Sequence, residues 1–287
     1  MSRVLFTKMH GCGNDYIYVN ASEYPLSNPG ELSRRWSAPH TGVGADGLVL
    51  IGKSAVGDFS MRIFNADGSE ARMCGNACRC MGKFVYEQGL SKKTMLRLET
   101  LSGLRELRLH VTETGSVDTV TVVMGDPAVE AELLPLSLEG VSDTVSSLGG
   151  TVVSVGNPHL VVFVPRVGDV DLGAVGPILE RHPSLPGRTN VEFAEVIDRG
   201  RLRVRVWERG SGVTRACGSG ASAAVAAAVT RGLTDRQTVV VMDGGELLIN
   251  WEEETNSLMM TGAAVTVFEG CIDVPCESAA STLSALS

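Results

Sequence analysis

RIFNADGSEARMCGN at residues 62–76 and RVWERGSGVTRACGS at residues 205–219 decide how this chain folds. Laid one over the other without gaps, they place Arg62 on Arg205, Arg72 on Arg215 and Cys74 on Cys217, so the copies lie 217 − 74 = 143 positions apart. The same offset carries Gly13-Asn14 onto Gly156-Asn157, Gly44 onto Gly187, and Gly89-Leu90 onto Gly232-Leu233. Twice 143 is 286 and the chain has 287 residues, so two copies of one unit fill it. Self-similarity at a fixed period governs the architecture, because each copy must adopt the same local structure.

Within each copy, short β-branched or apolar runs bounded by Gly, Asn and Pro read as strands: 48–51, 61–64, 120–123, 152–155, 160–164 and 202–206. A helix follows each Cys-Gly, CGNACRCMGKFVYEQG in the first copy and CGSGASAAVAAAVTRG in the second, and each closes on a glycine followed by Leu. The second of these is Ala and Val around its whole circumference, which predicts burial on most sides. Further helices are expected over 172–181 and 31–36. The pattern predicts an α+β fold of two pseudo-symmetric domains, each of mostly antiparallel strands wrapped around a central helix, with the active site in the cleft between them. The expected division gives 1–123 and a returning 268–287 to the half that carries Cys74, and 124–267 to the half that carries Cys217. The polar stretch 126–150 reads as the linker, with strands that it could donate to its neighbours.

Composition narrows the function classes. A net charge of −8 supplies no electrostatic footprint for nucleic acid or an anionic membrane, so neither is an expected partner. MSRVLFTKMH lacks the apolar run of a signal peptide, and the apolar stretch 221–229 is too short to span a bilayer. Seven cysteines, an odd number without secreted-domain spacing, fit a reducing compartment. The expectation is a soluble cytoplasmic protein that acts on a small molecule.

Inverting a carbon next to a carboxylate requires a base on one face and an acid on the other. A duplicated unit with one cysteine per copy supplies that symmetry if the copies face each other. Cys74 and Cys217 both fall at a predicted helix start, where the helix N-terminus should lower a thiol's pKa; one then rests as thiolate beside a protonated partner, and the two titrate together. The N–H groups of Gly75-Asn76 and Gly218-Ser219 would point at the substrate carboxylate from two helix ends, and glycine permits close approach. Charge held there would stabilise the carbanion-like transition state. Two facing thiols would also be able to oxidise to a Cys74–Cys217 disulfide. Cys12, Cys78, Cys80, Cys271 and Cys276 are expected to be small core residues, although Cys271 and Cys276 could pair. The spacing of Cys74, Cys78 and Cys80 argues against a zinc site, even with His10 and Cys12 added.

The offset also pairs Asn14 with Asn157, Gly47 with Asn190 and Asn65 with Glu208. A lone Asn at a strand end usually satisfies backbone; several at matching positions of facing halves predict a polar-lined cleft. Glu208 could pair a substrate ammonium and Arg209 a carboxylate, while His159, two residues beyond Asn157, could bias a thiol. The second copy has Glu208-Arg209 where the first has Asn65-Ala66, an asymmetry that suits a ligand with unlike charged ends.

The runs KMHGCGNDY, GVGADG, FNADGSEARMCGN, GNPH, RTNVEF and ERGSGVTRACGSGA resemble, in order and spacing over about residues 8–270, the diaminopimelate epimerase family. The resemblance implies interconversion of LL- and meso-2,6-diaminopimelate without pyridoxal phosphate, metal or other cofactor, and a homodimer. It implies that Cys74 and Cys217 are the bases, with His159 and Glu208 near the thiols. Substrate contacts carried over by the resemblance are Asn14, Asn65, Gly75, Asn76, Asn157, Asn190, Glu208, Arg209, Gly218 and Ser219. The family's GVGFDQ segment is GVGADG here, so Gly47 lacks a polar side chain. Its CGNGARC is CGNACRC, which puts Cys78 one helical turn from Cys74. The family's product feeds lysine synthesis and, in many bacteria, peptidoglycan. The alternatives are a proline or hydroxyproline racemase on the same two-cysteine plan, and a non-enzymatic thiol protein that senses redox state or holds metal.

Overall fold

The computed structural model describes residues 2–136, 138, 142, 145 and 147–274. The first half runs β1 (Ser2–Gly11), β2 (Asn14–Asn20), α1 (Pro29–Ser37), β3 (Gly47–Gly52), β4 (Phe59–Asn65) and β5 (Glu70–Ala71). It continues through α2 (Gly75–Glu87), β6 (Met95–Thr100), β7 (Gly103–Val111), β8 (Val117–Gly125) and β9 (Ala128–Val129). The second half begins β10 (Thr151–Ser154), β11 (Pro158–Phe163), α3 (Leu172–Glu180), β12 (Asn190–Asp198), β13 (Arg201–Glu208) and β14 (Gly212–Thr214). Its remainder is α4 (Gly218–Thr230), β15 (Gln237–Met242), β16 (Gly245–Trp251), β17 (Leu258–Ala263) and β18 (Val265–Val274). Adding 143 to the bounds of α1 gives those of α3, and adding it to α2 gives α4.

The pairings repeat as the elements do. β2 lies parallel to β3 as β11 does to β12, and β4 lies parallel to β6 as β13 does to β15. The meander β6–β7–β8 is antiparallel, as is β15–β16–β17. At the ends the halves trade strands. β9, which closes the first half in sequence, pairs with β10 of the second; β18, which closes the second, pairs along β1 of the first. β8 and β17 pair antiparallel with each other.

α4 is enclosed because it has no polar face: Gly218 and every residue from Gly220 to Ala228 are buried. It stops where Gly232 turns to φ 68° and Leu233 N–H reaches back to Ala228 O, and α2 stops at Gly89 with φ 70°. Only glycine takes that left-handed position without a Cβ clash. α2 buries Ala77, Cys78, Cys80, Met81 and Val85 against β7 and β8, and these join α4 in one core that spans both halves.

Two expectations change here. The 126–150 stretch is not simply a polar linker: Leu136, Leu138 and Val145 are buried with Leu160, Leu179 and Phe193 in a second core. Cys12, Cys78 and Cys80 are buried as expected, but Cys271 is exposed on β18, so it is no core residue; Cys276 lies outside the described residues. Among the described residues no helix is long and apolar enough to cross a membrane.

Candidate active site

Cys74 and Cys217 are the N-cap residues of α2 and α4, with matching extended backbones of φ −141°, ψ 119° and φ −129°, ψ 112°. Their helices start against one side chain. A Cβ on Gly75 would lie 2.7 Å from Met260 Cε, and one on Gly218 would lie 2.6 Å from Met260 Sδ. On both glycines the place that a Cβ would take is filled by the Met260 thioether of β17, which lies between the helix starts.

On the first-half side the Cys74 thiol donates to Asn14 Oδ1 at 3.3 Å, and Asn76 Nδ2 donates to the same oxygen at 3.4 Å. Asn14 is itself oriented by Asp46, whose Oδ2 accepts from Asn14 Nδ2 at 2.7 Å. Burial pushes the Tyr16 hydroxyl well above its ordinary range, and the nearby Cys74 adds to it. On the second-half side Gly220 N–H donates to Cys217 Sγ at 3.4 Å, with Ser219 Oγ 3.5 Å away. Asn157 Nδ2 donates to Ser219 Oγ at 3.3 Å, and Asn157 Oδ1 lies 3.1 Å from His159 Nε2. His159 Nδ1 is 2.8 Å from Glu192 Oε1, and both side chains are fully buried. His159 is thus linked to Cys217 through Asn157 and Ser219, and hydrogen-bonds to neither thiol.

Glu208 joins the two sides. Thr214 Oγ1 donates to its carboxylate at 2.5 Å, and the charge of that carboxylate acts on both Cys217 and Cys74. Burial pushes the Glu208 carboxyl above the usual carboxylate range and the nearby Glu192 adds to it, while the Thr214 and Cys217 hydrogen bonds oppose.

The helix starts pull the thiols' pKa values down, but burial outweighs them. Burial raises Cys74; the N–H groups of Ala77 and Asn76 and the charge of Arg79 pull it back, and Glu208 pushes it further up. Cys217 stands well above the ordinary thiol range through burial first, then Glu208 and Glu192, against donation from Ser219 and Gly220. Desolvation outweighs a helix terminus because a thiolate at these depths loses much of its water, whereas one helix turn offers only partial charges.

The other predicted contacts fall around this centre. Asn190 Nδ2 donates to Pro158 O at 3.1 Å and its Oδ1 accepts from Arg209 N–H at 2.9 Å, so both ends of the amide hold backbone. The Arg209 guanidinium donates to Gly187 O at 3.1 Å. Asn65 Nδ2 donates to Ser69 Oγ at 3.0 Å, and Asn65 faces Gly47 across β3 and β4. A Cβ on Gly47 would stand 2.1 Å from Phe64 O and 3.0 Å from the Tyr16 ring, so no side chain fits there. Gly47→Ala is expected to cost about 3 kcal/mol, because the obstruction is backbone and cannot move aside; a thermal melt unchanged from the parent's would contradict this. Among the described residues no cluster of three His, Cys, Asp or Glu side chains is arranged to hold a metal ion.

The diaminopimelate epimerase family model matches residues 6–129 and 151–267. A diaminopimelate epimerase of Parabacteroides distasonis is 58% identical over 271 residues, covering 94% of this chain and 98% of the other. The chain belongs to the diaminopimelate epimerase family. Diaminopimelate epimerases of Acetivibrio thermocellus and of Methanococcus maripaludis are each 48% identical over 276 residues, with 94% of this chain and 98% and 99% of theirs covered. Among solved structures, the fold is shared by a Bacillus anthracis phenazine biosynthesis protein of the PhzF family, with TM-score 0.71 at 17% identity over 96% of this chain and 100% of that one. A hydroxyproline epimerase from Agrobacterium vitis gives TM-score 0.70 at 18% identity over 94% and 92% of the two chains.

For a member of this family, sequence reasoning passed over five residues that the fold brings to the two thiols: Tyr16, Asp46, Arg79, Glu192 and Met260. One was within reach. Tyr16 + 143 is 159, so Tyr16 stands to Asn14 and Cys74 as His159 stands to Asn157. The others have no like counterpart: the offset sets Asp46 against Thr189, Arg79 against Ser222, Glu192 against Val49 and Met260 against Val117, so the repeat carried no signal for them.

Proposed function

We propose that this chain interconverts LL- and meso-2,6-diaminopimelate by passing protons between the α-carbon and two thiols, Cys74 and Cys217. The thiolate on one face takes the α-proton. The electron pair of the broken C–H bond spreads into the adjacent carboxylate, and the thiol on the other face gives its proton back to carbon. Each turnover leaves the two sulfurs with exchanged protonation, so the reverse reaction starts from the product state. Gly75-Asn76 and Gly218-Ser219 hold the α-carboxylate; Glu208 receives the α-ammonium; Asn14, Asn65, Asn157, Asn190 and Arg209 serve the remainder of the substrate. His159 acts on the thiols only through Asn157.

What carries the reading is the matched pair of N-cap thiols, Cys74 and Cys217, on equivalent helices from different halves that both start against the Met260 side chain. Thiols raised by burial also suit it: a strong base toward carbon is a thiolate whose conjugate acid is weak, and its protonated partner remains a proton source. The same reading divides the chain into 1–123 with 268–287 and 124–267, and takes it to be a cytoplasmic homodimer. Exposed Leu5, Val267 and Phe268 on β1 and β18 support an apolar contact face.

The deciding experiment compares LL-diaminopimelate with L-proline for deuterium incorporation at the α-carbon in heavy water. Exchange is expected with diaminopimelate alone. Exchange with proline alone would favour the racemase reading, and exchange with neither would favour a thiol protein without enzymatic activity.

A further inference from the structure

We infer that Arg79 is a positioning residue for the carboxylate subsite at the start of α2, where its buried guanidinium fixes the Asn76 carboxamide and supplies positive charge to the first helical turn. The inference rests on the reading of the Cys74–Cys217 cleft as the substrate site.

Arg79 is fully buried and among the largest side chains so enclosed. It is the fifth residue of α2, and side chains on a helix lean toward its N-terminus, so the guanidinium reaches back over the turn that begins at Cys74. Nη2 donates to Asn76 Oδ1 at 2.9 Å and to Cys12 Sγ at 3.6 Å; Nη1 donates to Met260 Sδ at 3.5 Å and Nε to Ala263 O at 3.3 Å. Among the described residues no carboxylate forms an ion pair with it, so its partners are an amide, a thiol, a thioether and a carbonyl. A buried cation is tolerated poorly unless something negative answers it. A substrate carboxylate at the adjoining helix start is an anion that would.

The surroundings are shaped to admit this side chain. A Cβ on Gly11 would come within 2.7 Å of Nη2, and one on Gly262 within 3.2 Å of Nε. Holding Asn76 by its oxygen has a direct consequence for the amide's other end: Nδ2 must face the opposite way, and it meets Asn14 Oδ1, the atom to which the Cys74 thiol donates. A continuous chain of contacts therefore runs from the cation to the thiol. The second helix start has no such device. Position 79 + 143 = 222 is a serine whose hydroxyl donates to Gly218 O at 3.0 Å. The charge is one-sided, which favours one placement of the α-carboxylate over its mirror placement across the pseudo-dyad.

The test uses Arg79→Gln and Arg79→Lys in the full chain, with KM and kcat measured for LL-diaminopimelate and thermal melts to score folding. Gln keeps a donor for Asn76 but removes the charge, and is expected to raise KM about tenfold; Lys keeps the charge and is expected to return KM to within about threefold of the parent. A structural role alone would lower the folded fraction and spare KM. A folded Arg79→Gln with KM within twofold of the parent, or Lys no better than Gln, overturns the inference. Should Arg79→Gln fail to fold, Gly11→Ala displaces the guanidinium without removing it; a threefold rise in KM is then expected, and an unchanged KM overturns the inference. If the parent chain itself does not turn over diaminopimelate, it is the reading of the cleft that fails.

Discussion

Replacing either Cys74 or Cys217 by serine is expected to stop net inversion, with kcat falling by about 10³-fold or more. A positioned acid or base contributes roughly 10²- to 10⁴-fold, and a serine hydroxyl is too weak an acid to rest as an alkoxide or to return a proton at a useful rate. Each thiol is needed once per turnover, so the two single variants should be crippled alike and the double variant little worse than either. The check is formation of the meso epimer from LL-diaminopimelate, with a thermal melt alongside each variant. Buried serine in place of cysteine is a near-isosteric change, so a folded variant that keeps activity within tenfold of the parent would exclude its cysteine from the proton path.

Glu208→Gln is expected to produce two changes of opposite sign. Turnover should drop about 100-fold, since the carboxylate whose charge acts on both thiols would no longer meet the substrate ammonium with a charge of its own. The thiols should become more reactive toward iodoacetamide at a fixed pH near neutrality. Here the sign follows from the causes at each sulfur. A neighbouring carboxylate disfavours the thiolate and raises the thiol's pKa, so removing that charge lowers the pKa at both Cys74 and Cys217. Burial, the larger cause, stays in place, so both thiols remain above their ordinary range. Slower turnover with faster alkylation is a combination that loss of structure in the cleft does not give selectively at two sulfurs in a folded protein. Slower alkylation, or turnover unchanged, would remove Glu208 from its place between them.

Most of the fold was legible because duplication writes each element twice. The bounds of α2 and α4, the strands on either side of them and the left-handed glycines at 89 and 232 all follow from one offset. What the offset could not show was what makes the halves unequal. Arg79, Asp46, Glu192 and Met260 act through contacts between elements distant in sequence, and no spacing rule announces a buried cation or a thioether wedged between two helix starts. The sign of the thiols' shift was misread for a related reason: a sequence reveals a helix start, but the depth at which that start is buried comes only from packing. Gly47 shows the converse. Its missing side chain looked like a lost contact, whereas the Phe64 carbonyl leaves no room for any side chain at that point.

The exchange of closing strands has a consequence for how such a chain could be divided or assembled. Because β9 completes the second half's sheet and β18 completes the first half's, each unit of the repeat ends in its neighbour. Severed between β9 and β10, the chain would leave two fragments that each lack an edge partner, and they would be whole only as a complex. One copy of the repeat, standing alone, could satisfy its own first strand only by borrowing the last strand of a twin. A single chain thus has the topology of a swapped pair whose two members have been fused end to end.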